Sequence, residues 1–156
     1  MTPQEIDEFL HNQRTLILST VKKDGAPVSH ALWFFYTGDA IYVNIQAKSF
    51  KYKNILHDNR VCALVEAGEQ YLQLRGVMVQ GRATKVDDPV EKTKVDVERD
   101  AKTARIGDGM ESMPAWFHES RSKRLDRGDR VMLRISLDKV TSWDFSKVRE
   151  HYAKRA

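Results

Sequence analysis

Apolar residues recur at Ile6, Phe9 and Leu10, behind the segment Thr2-Pro3-Gln4-Glu5. Thr2 and Glu5 stand at capping-box spacing, and Pro3 takes the first helical position, where its missing N–H costs nothing. The pattern predicts an amphipathic helix of two to three turns ending near Asn12 or Gln13. The period then changes. Thr15–Val21 reads Thr-Leu-Ile-Leu-Ser-Thr-Val, rich in β-branched residues, and Asp24-Gly25 supplies a turn before a second such run over 27–36. Thr37-Gly38-Asp39 turns the chain into a third run over 40–45. These elements form a meander of three antiparallel strands, not a βαβ unit.

Ser49 has the chemistry to cap a short helix with Tyr52, Ile55 and Leu56 on its inner face, closed by His57-Asp58-Asn59 before a strand over 61–65. Ala67-Gly68-Glu69 leads into a long strand over 71–86, broken by Gly76 and Gly81, as a sheet needs where it curls into a barrel. Asp88-Pro89 opens a second helix whose inner face is read as Val90, Thr93 or Lys94, Val97, Ala101 and Ala104. A loop over 106–113 and a third short helix from Pro114 toward Leu125 precede the strand 131–137, where Val131, Leu133, Ile135 and Leu137 alternate with polar neighbours and Met132. The basic tail from Lys147 reads as frayed. Five or six strands with short helices between them predict an α+β fold, a small antiparallel closed or split β-barrel with short peripheral helices. It forms one domain over 1–156 with a charged helical insertion at about 88–128.

Composition narrows the function. The 156 residues suit one domain, and 41% hydrophobic residues suffice for a core. The lone Cys62 rules out an intramolecular disulfide, and the five histidines lack ligand spacing, so no metal site is expected. The net charge of +4 suits an anionic ligand, but acidic and basic residues mix too evenly from Glu91 to Arg105 for nucleic acid. A signal-peptide pattern and a membrane-length apolar run are both missing, so a cytoplasmic protein is expected. The chain has no dinucleotide fingerprint, Walker loop, serine elbow or zincin motif.

Three groups of residues carry candidate chemistry. Lys48, Ser49 and Lys51, with Lys53 beyond, stand at a strand-to-helix junction, where free N–H groups and the helix dipole favour a phosphate. An ordinary solvated first turn would look the same. Upstream, Ser29-His30-Ala31-Leu32-Trp33 is a strand that could frame a flat heterocycle, or whose large residues could simply fill the core. Gln73 and Arg75, two residues apart on the expected long strand, share a face and could reach into a groove.

The order and spacing of several segments resemble the pyridoxamine 5′-phosphate oxidase-like split barrels, within them the small flavin and deazaflavin oxidoreductases. The segments are Leu16 through Val21, Asp24-Gly25-Ala26-Pro27, Leu32-Trp33-Phe34, Ile41 through Asn44, Lys51 through Leu56 with Asp58 and Arg60-Val61, Leu74-Arg75-Gly76 and Gly81-Arg82-Ala83. The likeness spans about residues 5–88 and returns at 140–144. It implies a homodimer with two equivalent sites at the subunit interface, each holding FMN or the deazaflavin F420. Lys48, Ser49 and Lys51 would contact the cofactor phosphate, Ser29, His30, Ala31, Leu32 and Trp33 would line its ring, and Gln73 and Arg75 would close the site. The implied activity is hydride transfer to or from a small conjugated or quinone-like molecule, with the ring supplying the reactive atom and no catalytic residue assigned. The alternative is a non-catalytic protein sequestering flavin, F420 or haem on the same scaffold. The Leu32-Trp33-Phe34 and Leu74-Arg75-Gly76 segments resemble the F420 branch more. The C-terminal arginine motif of true pyridoxamine phosphate oxidases is missing, which argues against vitamin B6 oxidation.

Overall fold

The computed structural model describes residues 1–107, 109–125 and 128–148; His151 and most of the basic tail lie outside the described residues. Helix α1 (Pro3–Asn12) starts with the expected capping box: Thr2 Oγ1 accepts the Glu5 N–H at 3.2 Å, and the Glu5 carboxylate accepts the Thr2 N–H at 2.6 Å. Strands β1 (Thr15–Val21), β2 (Pro27–Tyr36) and β3 (Ala40–Gln46) form the meander. Helix α2 (Phe50–His57), β4 (Arg60–Ala67) and β5 (Arg75–Lys85) follow, then α3 (Pro89–Ile106), α4 (Ala115–Leu125), β6 (Arg130–Ser136) and β7 (Lys139–Asp144).

All strand pairings are antiparallel, in the order β4-β1-β2-β3-β6-β5, and β4 pairing with β5 closes a six-stranded barrel. The α+β split barrel expected from the sequence is therefore present. Its interior comes from alternate residues: Leu16 and Leu18 of β1, Phe34 of β2, Ile41, Val43 and Ile45 of β3, and Leu133 and Ile135 of β6 are all buried. Truncating one of these large side chains to alanine costs about 2–5 kcal/mol. The other face of β3 is buried too. Ala40 and Tyr42 pack with Val86, Phe35, Met132 and Val95 of α3, so β3 shows no period-2 pattern.

The split lies in β2. It pairs with β1 through residues 27–33 but with β3 only from Phe34 to Tyr36, leaving one edge of its first part without a strand among the described residues. Gly81 marks a second handover, where β5 passes from β7 (up to Gln80) to β6 (from Ala83). A Cβ at Gly81 would stand 1.9 Å from the Ser136 carbonyl oxygen, so only glycine allows the approach.

Four elements differ from expectation. The strand 71–86 begins at Arg75, because Tyr71–Gln73 forms a 3₁₀ turn closed by the Gln73 N–H on the Gln70 carbonyl at 2.8 Å. Leu56 points outward, 69% exposed, leaving Ile55 as the buried residue of α2. In α3 the apolar stripe Val90, Val97, Ala101, Ala104 faces out, and the inner face carries Glu91, Val95, Glu98 and Lys102 instead. The cause is tertiary. Tyr42 donates its hydroxyl proton to Glu91 at 2.8 Å and the Phe34 carbonyl accepts from Lys102, so the inward stripe carries polar anchors with partners on β3 and β2. Finally, 139–144 is a seventh strand, β7, paired along β5, with the Trp143 ring lying where Gly76 leaves room.

Candidate functional site

A cleft of about 1010 Å³ opens beside the free edge of β2. Ala31, Leu32, Trp33 and Phe35 line it from β2, Val95 from α3, and Asn44, Val131 and Met132 from β3 and β6. The strand edge presents residues of both faces, which is why Leu32 joins Ala31 and Trp33 there. Four cations, Lys85, Lys92, Arg99 and Arg130, also line the cleft, against two carboxylates, Asp87 and Asp96. Lys85 sits 2.6 Å from Asp87, and Arg99 sits 2.6 Å from Asp96. Arg130 donates to the Asn44 side-chain oxygen at 3.2 Å and to its carbonyl at 2.5 Å. The positive excess draws anions toward an apolar, indole-bearing wall.

The sequence-derived site residues fall into four places. Ala31, Leu32 and Trp33 meet at the cleft. Ser29 lies on the outer face of the same sheet, its hydroxyl 2.8 Å from that of Ser19, and His30 beside it is exposed. Lys48, Ser49 and Lys51 gather at the start of α2, and none of the three lines the cleft. The Ser49 hydroxyl donates to the Gln46 carbonyl at 2.7 Å and accepts the Tyr52 N–H at 3.4 Å, so it is a genuine helix cap. Lys48 is exposed and Lys51 half-buried, while Lys53 stands 5.4 Å from the Phe50 ring.

Gln73 and Arg75 correct the shared-face expectation. Gln73 belongs to the 3₁₀ turn and accepts the Gln70 N–H through its own side chain at 3.4 Å. The Arg75 guanidinium lies 5.4 Å over the Phe9 ring. Gln73 precedes β5 and Arg75 opens it, and neither lines the cleft, which touches this strand at its other end, at Lys85.

The rim residues Lys85, Lys92, Arg99 and Arg130 escaped the sequence reading because alternating charges on a helix or strand look like a solvated face. Lys102 escaped for a related reason. It is 4% exposed, its ammonium donates to the Phe34 carbonyl at 3.0 Å, and it lies 3.8 Å from the Phe34 ring centre. Burial pulls its pKa down to about 8, with nearby Glu98 opposing and Arg105 and Arg14 assisting the fall. A second depression, about 760 Å³, includes Ser19, Cys62, Gln80, Arg60, Arg82 and Lys139. Burial pushes the Cys62 thiol up, away from a reactive thiolate. Among the described residues no cluster of His, Cys, Asp and Glu could hold a metal, and no helix is long and apolar enough to cross a membrane.

Comparison with known proteins agrees with this architecture. A conserved hypothetical protein of Mycobacterium tuberculosis, Rv2991, shares 31% identity at a TM-score of 0.75, over 96% of this chain and 88% of its own. The heme storage protein HutZ of Vibrio cholerae superposes at a TM-score of 0.67 with 18% identity, covering 92% of this chain and 96% of its own. An FAD-binding protein of Mesorhizobium loti matches at 0.62 with 21% identity, over 91% and 92%. No curated protein sequence matches. The family model described as pyridoxamine 5′-phosphate oxidase matches residues 2–144. With the closed barrel, the split at β2 and that match across most of its length, the chain belongs to the pyridoxamine 5′-phosphate oxidase family of split barrels.

Proposed function

We propose that the protein is an F420- or FMN-dependent oxidoreductase, cytoplasmic and homodimeric, that transfers hydride to or from a small conjugated or quinone-like substrate. The observation that carries this reading is the cleft itself: an apolar wall containing Trp33 beside a rim with four cations and two carboxylates. Its volume of about 1010 Å³ suits a tricyclic ring with an anionic tail. When bound, the ring would supply the hydride-transferring atom. Ala31, Leu32 and Trp33 would hold the ring and keep water from it. Lys48, Ser49 and Lys51 would hold the phosphate by charge-assisted hydrogen bonds. Asp87 and Asp96 are both ion-paired, so neither is offered as a proton donor.

The separation of Gln73 and Arg75 from the cleft supports a site built by two subunits, in which these residues reach the partner's cofactor. An edge of β2 without a strand and the exposed Ile17 and Trp33, 38% and 37% accessible, supply surface for such an assembly. The alternative, a non-catalytic flavin, F420 or haem carrier, draws on the likeness to HutZ and on the same ion pairs, which leave the cleft without a free carboxylate among the described residues.

Parallel fluorescence titrations with FMN and F420 at physiological salt test the reading. Tight binding of one cofactor is expected, followed by turnover of quinones or activated alkenes with the matching reductant. Cofactor retention with no turnover across such a panel favours the carrier, and failure to bind either cofactor overturns the oxidoreductase and leaves only haem to the carrier.

A further inference from the structure

The cleft's two walls, α3 and the first part of β2, are tied together at one point. The Arg14 guanidinium donates to the carbonyls of Ile106 and Gly107 at the end of α3, the latter at 3.2 Å. The Arg14 carbonyl accepts the Phe34 N–H at 3.4 Å. The Phe34 carbonyl in turn accepts from Lys102, one turn before Ile106, at 3.0 Å. The circuit closes on itself: end of α3, Arg14, Phe34, Lys102, α3.

Its position gives it meaning. Phe34 is where β2 changes partner from β1 to β3. Its neighbours Trp33 and Phe35 line the cleft, as does Thr15, next to Arg14 and paired with Trp33. Val95, two turns before Lys102 on the buried stripe of α3, lines it from the other side. An apolar residue at 102 would serve the core with less desolvation, and Arg14 Nε and Glu98 Oε1 are buried beside it without hydrogen bonds. A buried cation aimed at one backbone carbonyl fixes geometry where an apolar contact would only fill space.

We propose that Lys102 is a positioning residue of the cleft: by gripping the Phe34 carbonyl inside the Arg14 circuit, it sets how far the Trp33 wall stands from α3, and so how tightly a planar ligand is held. The proposal rests on the reading of the cleft as the ligand site. It concerns the apo wall first and the ligand second, so the two can fail separately.

The test uses full-length protein labelled with 5-fluorotryptophan, whose Trp33 resonance is assigned by its loss in Trp33→Phe. In Lys102→Met the Trp33 line shifts or broadens while the Trp116 line stays in place, and FMN binds about tenfold more weakly, as misplacement of a supporting wall predicts. Lys102→Arg, which keeps the donor, recovers much of the FMN affinity. Arg14→Gln breaks the same circuit from its other side and gives the same Trp33 change, which keeps the test decisive if Lys102→Met does not fold. An unmoved Trp33 line with unchanged FMN affinity in both variants overturns the proposal. A moved Trp33 line in a protein that binds neither FMN nor F420 leaves the circuit standing and removes the cofactor reading instead.

Discussion

Replacing Lys102 with methionine exchanges a buried ammonium for a neutral side chain of similar length, and its effect on stability depends on pH in a way that can be worked out. In the native state burial holds the group near 8, against 10.5 when the chain is open to water. At 1.36 kcal/mol per tenfold, the charged form costs the fold about 3 kcal/mol. At pH 7 Lys102 is charged in both states and that cost is fully present. Between pH 8 and 10.5 the native state releases its proton first, the unfolded state binds more protons, and stability rises with pH. The wild type should gain about 2–3 kcal/mol on moving from pH 7 to pH 10 relative to Lys102→Met, which has nothing to titrate there. The variant also strands the Phe34 carbonyl, which costs about 1–3 kcal/mol at either pH and cancels in the comparison. Urea denaturation of both proteins at pH 7 and pH 10 reads the difference, because all other lysines and tyrosines titrate alike in the pair. A relative midpoint shift of about 1 M is expected for a domain of this size. Equal pH responses in the two proteins would refute the buried, depressed ammonium.

Other expectations are simpler. Lys51→Ala should weaken FMN binding by about 1.5–3 kcal/mol if it holds the phosphate, measured by calorimetric titration. Gly81→Ala forces a Cβ against the Ser136 carbonyl and should destabilise the barrel by about 3 kcal/mol or more, read by urea melts; a loss under about 1 kcal/mol would mean that the two strands separate easily. Asp39 is held near 2 first by Lys94 and then by the Thr37 hydroxyl, so its contribution is present above pH 3.8 and fades as pH falls through 2. With both partners about half exposed, Asp39→Asn should cost under about 1 kcal/mol at pH 7, less in high salt. Mixing unfolded Arg75→Ala and Lys51→Ala chains and refolding them together should restore cofactor binding in part, since a shared dimer then carries one intact site; no recovery would argue against a two-subunit site.

Much of this fold is legible because its signals are local. Thr2, Pro3 and Glu5 specify the start of α1 through groups three residues apart. Asp24-Gly25 and Thr37-Gly38-Asp39 turn the chain as expected, with Gly25 and Gly38 both at positive φ, and the β-branched runs between them become β1 to β3. Order and spacing along the chain also carried the family resemblance. What the sequence could not decide were matters settled by distant partners. The inner face of α3 meets Tyr42 and Phe34, whose polar groups pair with Glu91 and Lys102, while Val90 and Val97 face outward. Strand β7 exists because β5 offers it an edge, and Gly76 leaves room for Trp143. Lys48, Ser49 and Lys51 were visible as a cluster, but the cleft was not, since its cations are dispersed over β5, α3 and β6 and converge only when the barrel closes. Gln73 and Arg75 do not line that cleft: a 3₁₀ turn takes Gln73 out of the strand, and Arg75 stands at the opposite end of β5 from Lys85. Local chemistry determines which elements form; which faces they bury, and which side chains share a site, depends on the packing of surfaces far apart in the chain.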